Sequence, residues 1–212
     1  MKEHGESQAL VDVGRRLELL AKGAVVAVFQ GAAEFGPRAL GNRSILAQAS
    51  DAEINKSLNE RLSRTEFMPF APMTRIEDAE MCYRDIGRVR SSAAFMTVTV
   101  NCTDSMQRES PAVVHVDGTA RPQLVTRESN PLIHSVLGYY KAITGKLAIV
   151  NTSFNIHEEP IVSSPEDALR GFFESGLDLP VHGGGWADSI RWKRESCSWF
   201  PEGQEQCAKS PV

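Results

Sequence analysis

The sequence predicts an α/β domain built on a mixed, twisted open sheet with helices. Three observations carry that expectation. Strand-like and helical segments alternate along only part of the 212-residue chain, and a hairpin signal interrupts them. That pattern fits a mixed sheet better than a doubly wound parallel one. Hydrophobic content of 42% and charged content of 24% are ordinary for a globular protein. No repeat, long linker or second domain shows, so one domain is expected over 1–212, with its core at about 9–192 and polar tails at 1–8 and 197–212.

The elements follow in order. Leu10, Val13, Leu17 and Leu20 recur at helical spacing, and Gly23 stops that helix. Residues 24–29 (AVVAVF) form a buried-strand pattern, and a loop with Gly31, Gly36, Pro37 and Gly41 leads to a short apolar run at 45–47. Ser50 with Glu53 has capping-box spacing for a helix over 51–62, with Ile54, Leu58 and Leu62 inward. Pro69 and Pro72 make 66–76 an edge strand or an extended loop. A short helix is expected at 77–84, a strand at 93–100 and a loop at 101–110. Residues 112–116 and 119–126 read as two strands of a hairpin joined by Asp117-Gly118. Asn130-Pro131 caps a helix to Thr144, closed by Gly145. A strand at 146–150 follows, then a helix opened by Ser164 and closed by Gly176, and short strands at 179–182 and 186–192. Gly183-Gly184-Gly185 reads as a turn, not a phosphate loop, because no helix follows.

Composition excludes several functions. The net charge of −4 gives no general attraction to nucleic acid or anionic membrane. RNA binding is accordingly disfavoured. The four cysteines include no CxxC pair, and the N-terminal stretch has no signal-like apolar core. No apolar run approaches the roughly 20 residues of a membrane span. A reduced, cytoplasmic protein is expected. The five histidines show no HxxxH or HxxH spacing, so no metal site is expected.

Three stretches carry candidate chemistry. In residues 30–46 (QGAAEFGPRALGNRSIL), glycines allow close backbone approach, and Arg38 and Arg43 offer planar donor forks for phosphate or carboxylate. An anion cradle and a tight loop whose arginines pair with Glu34 both fit. In residues 115–121 (HVDGTAR), His115 and Asp117 share a strand face, with Arg121 returning beyond the turn. A polar phosphate wall and a simple Asp–Arg hairpin clamp both fit. Asn151, Ser153 and Asn155 directly follow a strand and share one face if the chain stays extended. Ligands gather beyond the carboxyl ends of strands in open α/β sheets, although Asx and Ser turns also fit. Ser153 lacks a GxSxG elbow and is not expected to be a nucleophile. Phe67, Phe70, Phe154, Phe172 and Phe173 read as core residues rather than base-stacking platforms, and Lys146 as a solvated lysine.

Four segments in order, GPRALGNRSIL, RTEFMPFAP at 64–72, HVDGTARPQ at 115–123 and NTSFNIHEEP at 151–160, resemble the C-terminal domain of the nodulation/antibiotic O-carbamoyltransferase family. The resemblance spans roughly residues 20–182 and implies a YrdC-like fold. It implies that ATP and carbamoyl phosphate are converted to a carbamoyl-adenylate, with Mg²⁺ accompanying ATP on phosphate oxygens and water. A separate Kae1-like, metal-bearing domain would pass the carbamoyl group to an acceptor hydroxyl. No segment here resembles that domain, so the chain is expected to be incomplete alone, as a split subunit or an excised or degenerate domain. The resemblance assigns Arg38, Arg43, His115 and Arg121 to catalysis. It assigns Arg64, Asp117, Asn151, Ser153 and Asn155 to binding, Ser153-x-Asn155 being similar to the SxN triplet of YrdC-like domains. The sequence departs at Leu62 and Met68, where many members carry lysine and arginine. Two readings fit that departure: Arg64 and Arg75 compensate for the two missing cations, or the donor is another acyl phosphate or a carboxylate. The alternative is a nucleotide-binding module or scaffold that does not catalyse.

Overall fold

The structure, a computed structural model, describes residues 17–63 and 70–182. Among the described residues are eight strands: β1 (Val26–Phe29), β2 (Arg43–Gln48), β3 (Ala71–Arg75), β4 (Val100–Asn101), β5 (Thr119–Ala120), β6 (Gln123–Val125), β7 (Ala148–Ser153) and β8 (Leu179–His182). Six of them form one sheet in the order β6-β3-β7-β2-β1-β8, and β4 pairs with β5 apart from it. The outer pairs β3/β6 and β1/β8 are parallel, and the three inner pairings are antiparallel. The expected mixed open α/β sheet is therefore present.

Alternation along the strands splits the core into two layers. Ala27, Phe29, Ile45, Ala47, Ala148 and Val150 pack on one face, with helices α2 (Ile54–Arg61) and α7 (Pro165–Glu174). Val26, Val28, Leu46, Met73 and Ile149 pack on the other, against α6 (Pro131–Thr144) and α1, of which residues 17–21 are described. Period-two alternation with both faces apolar is what a sheet buried on two sides requires. Shorter helices α3 (Ala79–Cys82), α4 (Arg90–Ala93) and α5 (Asp104–Glu109) join the first layer.

Two helix starts form as their sequences dictate. Asn130 Oδ1 accepts from Ile133 N at 3.1 Å, with Pro131 opening α6. Ser164 and Asp167 complete a reciprocal capping box on α7.

Several expectations are corrected. Ser50 caps nothing: Asp51 Oδ1 accepts from Glu53 N at 2.9 Å, an Asx turn ahead of α2. Residues 112–126 do not form a hairpin. Residues 115–118 make a tight turn, β5 pairs with β4, and β6 crosses into the main sheet beside β3. Most of the expected strand at 93–100 is not strand; only Val100 enters β4. The expected loop at 101–110 contains α5, capped by Thr103, whose Oγ1 accepts from Met106 N. β3 is interior, not an edge strand, between β6 and β7. Pro72 is tolerated because the β6 ladder begins only at Met73. Arg64 and Phe67, residues 183–185 and the strand expected at 186–192 lie outside the described residues. Among the described residues, no helix is long and apolar enough to cross a membrane.

Candidate functional site

One end of the sheet collects the chemistry. The loop 30–42 leaves the carboxyl end of β1 and enters β2, and Ser44 of β2 pairs with Ser153 at the carboxyl end of β7. Ala71 opens β3 opposite Asn151, and Arg121 lies two residues before β6, which runs parallel to β3. Five strand ends thus converge, and the strand register itself brings residues 38, 121 and 151–153 together.

They line a cleft. Its inner end is formed by Arg38, Ala39, Ala71, Arg121, Asn151, Thr152 and Ser153, among others. Its outer part, about 520 Å³, is formed by Phe35, Leu40, Phe95, Met96 and Thr97, with Pro37, Arg38, Met96 and Arg121 shared between the two. That volume lies within the range of roughly 300–1,000 Å³ usual for small-molecule sites. Phe35 and Phe95 are exposed at the rim. Met96 takes a left-handed φ of 55°, in the segment that presents Phe95 and Met96 to the cleft.

Arg38 and Arg121 face the same space. Among the described residues neither makes an ion pair with a carboxylate. The Arg121 guanidinium is pushed below its ordinary pKa by burial first and by the positive charge of Arg38 second. Two adjacent cations without a counter-ion are destabilising in isolation and favourable around an anion.

Arg43 has a different task. It is 4% exposed. Its Nη1 donates to Gln30 O at 2.6 Å and Asn42 O at 2.9 Å, and its Nη2 to Gly31 O at 3.1 Å. Its guanidinium carbon lies 3.7 Å from the centroid of the Phe29 ring. Burial lowers its pKa, opposed by the nearby charge of Glu34. The fork therefore clamps the two ends of the glycine-rich loop and does not line the cleft. The loop's backbone does cradle an anion, but that anion is Glu34, whose Oε1 accepts from Leu40 N at 2.6 Å and Asn42 N at 2.7 Å. Gly41 has no alternative: its φ is +115°, and a Cβ there would meet Ile133 Cγ1 at 2.8 Å.

His115 and Asp117 converge on Thr119 and not on the cleft. His115 Nδ1 lies 3.0 Å from Thr119 Oγ1, and Asp117 Oδ1 accepts from Thr119 N at 3.0 Å and Oγ1 at 2.6 Å. Those hydrogen bonds hold the Asp117 carboxyl below the usual carboxylate range. The turn is built as Asp-Gly dictates, with Gly118 at φ 79°. Of the HVDGTAR stretch, only Arg121 reaches the cleft.

Asn151, Thr152 and Ser153 belong to β7 itself and do not follow it. Asn151 Nδ2 donates to Ala39 O at 2.9 Å and to Gln123 Oε1 at 2.7 Å, while Gln123 Nε2 donates to Leu40 O at 2.7 Å. These bonds pin the segment bearing Arg38 onto the sheet. Asn155 does not line the cleft either; its amide bonds Ser153 and the turn after β7. Sequence reasoning missed Gln123, Phe35 and Phe95. Gln123 carried one signal: a buried polar residue at a strand start must find partners. Leu62, one of the two departures noted in the sequence, is fully buried.

The mixed sheet with a cationic cleft at one end defines a YrdC-like α/β domain. Solved structures agree on the fold. HypF in its phosphate- and nucleotide-bound form superposes with a TM-score of 0.61 at 21% identity, over 82% of this chain and 25% of that one. A variant of P. abyssi Sua5 gives 0.56 at 14%, over 82% and 48%.

Residues 17–187 match the family described as Carbamoyltransferase C-terminus, and the chain belongs to it. Nodulation protein NolO of Bradyrhizobium diazoefficiens is 41% identical over 165 residues, 77% of this chain and 30% of that protein. The 3'-hydroxymethylcephem-O-carbamoyltransferase of Streptomyces clavuligerus is 38% identical over 151 residues, 71% of this chain and 28% of the enzyme. The chain thus spans between a quarter and a third of the length of these curated relatives.

Proposed function

We propose that this domain binds ATP and carbamoyl phosphate in the cleft and forms a carbamoyl-adenylate, which a separate Kae1-like, metal-bearing domain or subunit then uses. The observation that carries the reading is the Arg38–Arg121 pair, two cations sharing one cleft with no carboxylate partner among the described residues. Membership of the carbamoyltransferase C-terminus family, with a relative named as an O-carbamoyltransferase, supports a carbamoyl-group reading. Loss of phosphate from carbamoyl phosphate to water leaves carbamate. A carbamate oxygen then attacks the α-phosphorus of ATP, and pyrophosphate departs. Arg38 and Arg121 neutralise the phosphates through that displacement, which needs positioning and charge rather than a covalent enzyme intermediate. Phe35 and Phe95 offer exposed ring faces on which adenine can stack. Arg43 holds the loop that carries Arg38.

Mg²⁺ fits only as a companion of ATP. Among the described residues no three His, Cys, Asp or Glu side chains cluster to hold a metal. Phosphate oxygens and water would be its ligands, and its charge would offset that of the phosphates.

The test is pyrophosphate release from ATP, with and without carbamoyl phosphate. The reading predicts release that requires carbamoyl phosphate and falls at least tenfold in Arg121→Ala. Tight ATP binding with no release under any acyl donor would instead establish a nucleotide-binding module.

A further inference from the structure

Ser153 stands at the inner end of the cleft with its hydroxyl hydrogen already engaged. Its Oγ donates to Asn155 Oδ1. The orientation of the Asn155 amide is fixed independently. Its Nδ2 donates to Ile156 O at 3.1 Å and Glu159 O at 3.0 Å, and carbonyl oxygens only accept. Turning the amide over would set Oδ1 against both carbonyls. Oδ1 therefore faces Ser153 as an acceptor, and the serine proton has one place to go. A hydroxyl carries one proton and two lone pairs. What Ser153 turns toward the cleft is acceptor capacity.

Asn151, beside it, repeats the pattern. Its Nδ2 hydrogens go to Ala39 O and Gln123 Oε1, and its Oδ1 is buried without a partner. The Asn151 amide cannot turn over either, because Ala39 O must accept. The cleft thus holds two cations and, at Ser153, an oxygen whose own donor is engaged elsewhere, while the lining residue Asn151 carries a second such oxygen that is buried. Phosphate alone satisfies the cations and repels the oxygens. A ligand that satisfies both carries negative charge at one end and a hydrogen-bond donor at the other, and the NH2 of the carbamoyl phosphate proposed for this cleft is such a donor.

We propose that Ser153 is the specificity-determining residue of the cleft. Its oxygen accepts from the NH2 of a carbamoyl phosphate and selects that group over an acyl phosphate ending in methyl. The inference rests on the proposed function and deepens it. A methyl group in place of NH2 leaves the serine lone pairs desolvated and unpaired. A site built to hydrogen-bond a polar group rejects an isostere lacking it more strongly than an apolar pocket does.

The experiment is titration calorimetry on the full chain with two hydrolytically stable phosphonates of matched shape and charge, phosphonoacetamide and acetonylphosphonate, and separately with ATP. Phosphonoacetamide should bind about tenfold tighter or more. Ser153→Ala should weaken phosphonoacetamide by about tenfold and leave acetonylphosphonate unchanged. Ser153→Thr, which keeps the oxygen, should keep the preference. Equal affinities in the native chain, or a Ser153→Ala variant that loses both ligands alike, would overturn the inference. So would ATP binding with neither phosphonate bound. Where ATP binds and the two phosphonates bind equally, only the amide selection fails. Where neither ATP nor either phosphonate binds, the adenylate-forming reading fails with it.

Discussion

The two ends of the loop between β1 and β2 carry the same side chain in opposite circumstances. At its base, Arg43 is buried, donates to three backbone carbonyls and lies over an aromatic ring. At its crest, Arg38 is exposed and shares the cleft with Arg121, without a carboxylate partner among the described residues. Five residues of sequence separate a cation bonded to the loop backbone from one that lines the cleft. A guanidinium that donates to backbone carbonyls contributes to folding, whereas one facing a like charge gains from an anion only if one binds.

The comparison can be broken at its base with the largest effect. Arg43→Ala should destabilise the domain by about 3 kcal/mol in urea unfolding, because three carbonyls and a ring lose their partner together. A change below ~0.5 kcal/mol would mean that the clamp is ornamental.

At the crest the effect should move from stability to binding. Arg121→Ala should weaken ATP binding by about 2–3 kcal/mol. It should leave the unfolding midpoint unchanged or slightly raised, since a like-charge contact is removed. Destabilisation as large as that of Arg43→Ala would erase the distinction between the two arginines.

Glu34 is the carboxylate that the loop folds around. Glu34→Ala leaves two N–H groups without their acceptor and should cost about 1–2 kcal/mol of stability. Glu34→Gln keeps the acceptor oxygen and should recover most of it. Equal loss in both variants would make charge, not the hydrogen bonds, the cause.

The smallest effect tests the scaffold away from the cleft. Hydrogen bonds from Ser164 and then Ser163 hold the Asp167 carboxyl below its ordinary pKa. Its contribution is present above the unfolded carboxylate pKa and is lost as pH falls through the lower folded value. Native chain and Asp167→Asn, which lacks the charge, should therefore converge in stability as pH drops below about 4. A difference that stays constant across that window would show that the box does not titrate.

Legibility in the sequence followed the range of the interactions. Helices α6 and α7 were readable because Asn130 and Ser164 cap them with bonds to residues three positions away. β1 was readable from its apolar run. The hairpin at 112–126 was misread because Asp117-Gly118 dictates a turn but not which strands leave it, and β6 is claimed by β3, some fifty residues earlier. β3 was misread as an edge because Pro72 reports only one missing donor, whereas the register places it ahead of the β6 ladder. The motif stretches named Arg38, Arg121, Asn151 and Ser153, which do meet in one cleft. They also named Arg43, His115, Asp117 and Asn155, whose bonds go to the frame around it. Nothing in residue type separates the two sets. The difference lies in which acceptors the folded backbone supplies, and that is a property of pairing across the sheet.

The account turns on Arg38 and Arg121 sharing an anion. The most direct measurement is ATP binding by calorimetry to the native chain and to the Arg38→Ala/Arg121→Ala double variant, with urea unfolding of both. The account predicts at least a hundredfold loss of affinity in the variant, on the order of 3 kcal/mol, with the unfolding midpoint unchanged. Equal affinity for ATP in the two proteins would contradict it.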